Sequence, residues 1–166
     1  MLKYIGALAV LAGLVAPAHA DVIGRACVTD GDTVMIGGKR RHAQCVDGVA
    51  VRLYGIASPD LDQICKTAAG QPWRCGRAAA SALLKTLGNS SVTCEGDATD
   101  ESGRVLAICY VGGDEVNALM VRNGAALAYR DHTDRYVPLE DAARADRIGV
   151  WQGDFLPPWE WRKLRR

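Results

Sequence analysis

Four charged side chains, far apart along the chain, are of the types that phosphate chemistry uses. Asp32 closes the turn Thr29-Asp30-Gly31-Asp32-Thr33, and Arg52 lies in Val51-Arg52-Leu53-Tyr54-Gly55-Ile56. Asp60 follows in Ala57-Ser58-Pro59-Asp60, and Arg104 ends Asp100-Glu101-Ser102-Gly103-Arg104. A carboxylate such as Asp32 is a hard oxygen ligand suited to calcium. Arginine forks match phosphate oxygens, and Asp60 is a carboxylate able to take a proton from water. Cation, base and two arginines are the parts that phosphodiester hydrolysis needs: positive charge at the phosphorus oxygens and an activated water. Each part alone has an ordinary explanation, because Asp-Gly is a hairpin signal in its own right and a lone strand arginine is usually solvated. The ordered set is what points to chemistry.

The elements that would position these groups are legible. Val22 to Thr29, Thr33 to Ile36 and Val49 to Ile56 are β-rich runs separated by Asp-Gly and Gly-Gly turns. Gly37 to Arg41 reads as a polar turn. Gly76 to Leu87 is rich in Ala and Leu and stops at Gly88-Asn89, which predicts a helix with Ala78, Leu83, Leu84 and Leu87 as core residues. A hairpin is expected around Cys94 and Cys109, with Asp97 to Gly103 as its turn. Shorter helices are expected over Glu115 to Arg122 and Pro138 to Ile148, the second opening on Pro and closing before Gly149. Strands first, then strands mixed with helices, predict an α+β domain, mainly β: a small barrel with about three packed helices.

Composition bounds the class. The chain has 166 residues, 49% hydrophobic and 23% charged, which is globular rather than disordered. Lys and Arg number 20 against 19 Asp and Glu, so a histone-like basic binder is excluded and any nucleic-acid contact must come from a local cluster. Two such clusters stand out, Lys39-Arg40-Arg41 and the tail Trp159-Glu160-Trp161-Arg162-Lys163-Leu164-Arg165-Arg166. Each reads as a nucleic-acid patch or, more simply, as a solvated turn and a tail whose Trp residues cover the barrel. Lys3, the apolar run Tyr4 to Val15 and Ala18-His19-Ala20 predict a signal peptide over residues 1–20, leaving one domain over 21–166 in the periplasm or secreted. The apolar run is short of the ~20 residues of a span, so no membrane span is expected after cleavage, and a monomer is expected.

Six Cys in so short a chain suit an oxidising compartment. No Cys-x-x-Cys occurs, which argues against zinc. Cys94 and Cys109 would face each other across the hairpin, and Cys65 and Cys75 would close a short loop. That leaves Cys27 with Cys45, although six Cys allow fifteen pairings in principle.

The Asp-Gly-Asp-Thr turn, the Arg-Leu-x-Gly-Ile-x-x-Pro segment at 52–59 and Gly103-Arg104 resemble the staphylococcal-nuclease-like (thermonuclease) family. So do Ala125-Ala126-Leu127-Ala128-Tyr129 and Gly149-Val150-Trp151, so that the likeness runs from about Val22 to Trp161. The cysteines look like a secreted bacterial branch of it. The resemblance implies a five-stranded OB-fold barrel and a calcium-dependent endonuclease that cuts single-stranded DNA or RNA and leaves 3′-phosphates. It implies Asp32 and the Ser58 backbone carbonyl as calcium ligands, Asp30 as a supporting acid, and Arg52, Asp60 and Arg104 as catalytic residues. Tyr129 would lie beside the bound nucleotide. Two departures from the family pattern fall on one loop. Ala57 stands where a second calcium carboxylate is expected, which weakens the metal site. Asp60 stands in place of Glu, one methylene shorter, and a reach ~1 Å short of the water can cost on the order of a hundredfold in rate. Asp62 is a further carboxylate nearby, and Ser102 replaces a Tyr found in many relatives. These departures motivate an alternative expectation: a degenerate nuclease-like module binding nucleic acid, an anionic exopolysaccharide or a protein partner.

Overall fold

The computed structural model describes residues 21–165; the expected signal peptide lies outside them. Five strands form the barrel: β1 (Val22–Asp30), β2 (Thr33–Ile36), β3 (Val49–Leu53), β4 (Ser91–Thr99) and β5 (Val105–Val111). Their spatial order is β1-β2-β3-β5-β4, and β4 pairs back onto β1 to close the cylinder. All pairings are antiparallel except β3 with β5. This is the mainly β OB-type barrel that the sequence implies. Closure leaves no barrel edge to protect, and alternate residues fill the interior, among them Val34, Val51, Leu53, Val92 and Ala107, each almost fully buried.

Helices cover the barrel. α1 (Cys75–Leu87) buries Cys75, Ala79, Leu83 and Leu87, spaced four apart on one face, and packs on β1. It stops at Gly88, whose φ of +56° suits glycine. α2 (Val116–Arg122) and α3 (Val137–Ala145) pack on each other. The buried Asn117 of α2 accepts the Cys109 N–H at 3.0 Å and donates to the carbonyls of Tyr54 and Ala107. The three disulfides join Cys27 to Cys45, Cys65 to Cys75 and Cys94 to Cys109. Among the described residues no helix is long and apolar enough to cross a membrane.

Four local expectations need correction. Of the four expected core residues of α1, Leu83 and Leu87 are buried, but Ala78 and Leu84 are exposed, because the face that meets the barrel runs through Cys75, Ala79, Leu83 and Leu87. Lys39–Arg41 is a short strand, not a turn, and pairs with Gln44–Val46. Its three residues are all exposed, so no alternation announces it. The tail folds into a fourth helix, α4 (Pro158–Lys163), started by Pro in its first turn. The barrel hairpin is also longer than expected, with β4 running to Thr99.

The loop after β3 is pressed onto the start of α1. A Cβ on Gly76 would lie 1.6 Å from the Asp60 carbonyl oxygen and 2.9 Å from the Leu61 Cα, so only glycine admits this approach. We expect Gly76→Ala to destabilise the protein by about 2–3 kcal/mol, read as a lower urea midpoint; an unchanged midpoint would show that the loop is free to lift.

Candidate active site

Asp32 follows the β1–β2 turn, where a register shift between Val28 and Asp30 marks a bulge that re-aims the two acids. Asp32 is 2% exposed. A charge so buried needs partners on both oxygens, and it has them. One oxygen accepts the Thr33 hydroxyl at 2.9 Å and the Arg52 guanidinium at 3.3 Å; the other accepts the Ser58 N–H at 3.0 Å. Arg52 reaches it from the middle of β3, where its backbone pairs with Thr33 on one side and Leu106 on the other.

Arg104 opens β5 from the turn at 100–103. Its Nε and Nη2 lie 2.7 and 2.6 Å from one oxygen of Asp100, whose other oxygen accepts the backbone N–H groups of Ser102 and Arg104. Burial raises the Asp100 carboxyl, but these hydrogen bonds outweigh it and hold the group below the ordinary carboxylate range. The remaining Nη1 donates to the Thr33 hydroxyl at 3.4 Å. Thr33 thus links the two arginines: it receives Arg104 and donates to the carboxylate that holds Arg52.

Arg52 and Arg104 line one open cleft of about 700 Å³ together with Asp30, Asp32, Asp60 and Tyr129. The cleft holds the side chains nominated as catalytic, metal-binding and substrate-binding; Ser58, nominated for its backbone carbonyl, does not line it and is buried with its hydroxyl unpartnered. Asp30 is pushed up to about 7, first by burial and then by the charge of Asp32. Asp60 does not stand alone at the rim: Arg162 of α4 donates to its Oδ1 at 2.6 Å. Asp62, two residues on, lies outside this cleft and pairs with Arg165. Ala57 is fully buried in a two-residue strand paired with Leu127, and its methyl side chain has no oxygen to offer.

Sequence reasoning missed two cleft residues. Arg162 lies 102 positions from Asp60, with no local motif to join them. His132 stacks on Tyr54 at 5.0 Å and meets the edge of Tyr129 at 4.7 Å. Burial, then the charge of Arg52, lowers its pKa from 6.5, so the ring is neutral at pH 7. Its only sequence signal is its place three residues after Tyr129.

Residues 50–153 match the sequence profile described as staphylococcal nuclease homologue. The chain belongs to that family. Among its relatives it is 33% identical to the succinoglycan biosynthesis protein ExoI of Rhizobium meliloti (strain 1021), over 87% of this chain and 74% of the relative. It is 32% identical to protein ParB of Escherichia coli, over 98% and 91% of the two chains. It is 30% identical to a micrococcal nuclease of Shigella flexneri, over 90% and 86%. The staphylococcal nuclease homologue family supplies the nuclease expectation; the residues above supply its parts in this chain.

The donor set can be tested against a calcium ion. Asp30 and Asp32 offer two carboxylates whose mutual repulsion a cation would relieve; the Ser58 hydroxyl, buried beside Gly31 without a partner, is a further oxygen that the sequence reading, which chose the Ser58 backbone carbonyl, did not name. All are hard oxygen donors, as calcium prefers. Among the described residues no cluster of three or more His, Cys, Asp or Glu gathers at one point. The set fits a calcium site of few protein charges.

Burial separates two of the ion pairs of the cleft. The Asp32 and Arg52 side chains are 3% and 13% exposed, against 23% and 36% for Asp60 and Arg162. We expect Arg52→Met, which strands a buried charge, to cost about 3 kcal/mol, and Arg162→Met to cost less than about 1 kcal/mol. Urea unfolding at pH 7 measures both; equal costs would show that Asp32 does not depend on its arginine.

Proposed function

We propose that this protein is a calcium-dependent phosphodiesterase that hydrolyses single-stranded DNA and RNA outside the cytoplasm. The observation that carries the reading is that Arg52 and Arg104, 52 residues apart in sequence numbering, share one cleft with the carboxylates of Asp32 and Asp60. The three disulfides support an oxidising compartment, and the Shigella flexneri relative is named a nuclease.

Arg52 and Arg104 bind the non-bridging oxygens of the scissile phosphate. Their forks are held in advance by Asp32 and Asp100, so little reorganisation accompanies the gain of charge. Asp60 takes a proton from the attacking water as the water oxygen bonds to phosphorus and the bond to the 5′ oxygen breaks; the 5′ oxygen takes a proton from solvent water and leaves as a hydroxyl, and the other product ends in a 3′-phosphate. With one Asp60 oxygen on Arg162, the other remains for that water. Asp32, Asp30 and Ser58 would hold calcium, which when bound supplies positive charge at the phosphate. Tyr129, its ring fixed between His132 and Trp159, offers an aromatic wall to a base.

A second reading has its own observation. Ala57 is buried where a metal carboxylate is expected, which favours a barrel that binds nucleic acid, an anionic polysaccharide or a protein partner without cutting. The discriminating assay is cleavage of labelled single-stranded DNA with calcium and then with chelator. We expect calcium-dependent cleavage that falls at least about a hundredfold in Arg104→Ala; no cleavage above that variant would reject the enzyme reading. The double change Ala57→Asp with Asp60→Glu is expected to raise the rate about tenfold or more. Cleavage that appears only in the double variant would instead establish the non-cutting module.

A further inference from the structure

A second cavity, of about 660 Å³, opens beside the cleft. Its walls carry Arg40, Arg74 and Arg77, with Leu61, Ile64 and Asp62 between them. The loop at Asp60 to Asp62 divides the two spaces: Asp60 faces the cleft, while Leu61 and Asp62 face this groove. Gly76 and the Cys65–Cys75 bridge hold that loop against the start of α1, so the groove is a fixed feature of the fold.

The charge of the groove is unbalanced. Arg40 directs its guanidinium to two carbonyl oxygens, Ala43 at 3.0 Å and Val28 at 2.6 Å. Those bonds fix its orientation without neutralising it. Arg74 and Arg77 make no ion pair among the described residues, and the first turn of α1, on which Arg77 sits, contains no acid. Asp62 is the one carboxylate in the wall, and Arg165 already pairs with it. Leu61 and Ile64 are each 45% exposed, large apolar surfaces beside the cations. In a chain of formal net charge +1, such a concentration is local rather than a share of a basic surface.

We propose that this groove is a track for single-stranded nucleic acid, holding the strand as it continues from the cleft across the loop at Asp60 to Asp62. Arginine forks recognise backbone phosphates, and the apolar side chains receive the faces of unstacked bases. The alternation of anion and flat apolar group in a polynucleotide matches this wall better than a carboxylated polysaccharide, which has charge but no apolar plates. The inference rests on the nuclease reading, because the strand in the groove is the one presented for cutting. It assigns a role to Arg40, one of the basic cluster at Lys39 to Arg41 that the cleft leaves unused.

The test is binding in chelator, where no calcium-dependent cleavage intervenes. Fluorescence anisotropy would follow labelled oligodeoxythymidylates of about twelve and about three nucleotides across a salt series, with the full-length protein and an Arg74→Gln/Arg77→Gln double variant. Both replaced side chains are exposed, and circular dichroism checks the fold; Arg40→Gln is the second variant. We expect the double variant to bind the longer strand about tenfold more weakly, with a salt slope flatter by about 1.4, near 0.7 for each lost phosphate contact. The trinucleotide should bind both proteins alike. Unchanged affinity and slope in both variants would overturn the track. Tighter binding of polygalacturonate than of the oligonucleotide at equal charge, lost in the same variants, would overturn the assignment to nucleic acid. Cleavage is scored separately: wild-type protein that binds through these arginines but never cuts refutes the phosphodiesterase and leaves the groove standing.

Discussion

The cleft depends on satisfying one buried negative charge. Asp32 is nearly inaccessible to water, and an unpaired carboxylate there would be costly. Its partners come from three stretches of chain: Thr33 beside it, Arg52 from β3 and the N–H of Ser58 beyond β3. Satisfying Asp32 therefore fixes the position of the arginine and of the loop that carries Asp60. The Thr33 hydroxyl extends the same network to Arg104, which Asp100 anchors from the far side. A barrel closed by β4 on β1 makes these approaches possible, because it brings β2, β3 and the start of β5 side by side.

The network also explains how the cleft persists while the loop at 57–60 departs from the family pattern. Ala57 packs in the interior against the strand at Leu127–Ala128, where its methyl group is wholly buried. Asp60, at the end of that loop, is held by an ion pair with Arg162 on α4. That helix is itself tied to the same loop by Arg165 on Asp62, and the preceding chain by the Leu156 carbonyl, which accepts from Gln63. The tail is therefore part of the cleft wall rather than only a cover for the barrel.

Much of this was legible from local pattern. Alternation and Asp-Gly turns announce β1 to β3, and an uninterrupted Ala/Leu run announces α1. The grouping of Asp32, Arg52, Asp60 and Arg104 came from their order and family likeness, since no periodicity joins residues on four separate segments. What stayed hidden lacked a local signal. Lys39–Arg41 is exposed on every residue and shows no period. The partnership of Arg162 with Asp60 spans the length of the domain, and that of Asp100 with Arg104 looks in sequence like an ordinary charged turn. His132 entered only through packing on Tyr54 and Tyr129.

The most direct test of the central claim, that acids and arginines act together on one phosphate and one cation, is a calorimetric titration of calcium with and without a nucleoside 3′,5′-bisphosphate. The expected result is weak calcium binding that the bisphosphate tightens about tenfold or more, with the coupling lost in Asp32→Ala and in Arg104→Ala. Calcium binding that ignores the bisphosphate, or that survives Asp32→Ala unchanged, would contradict it.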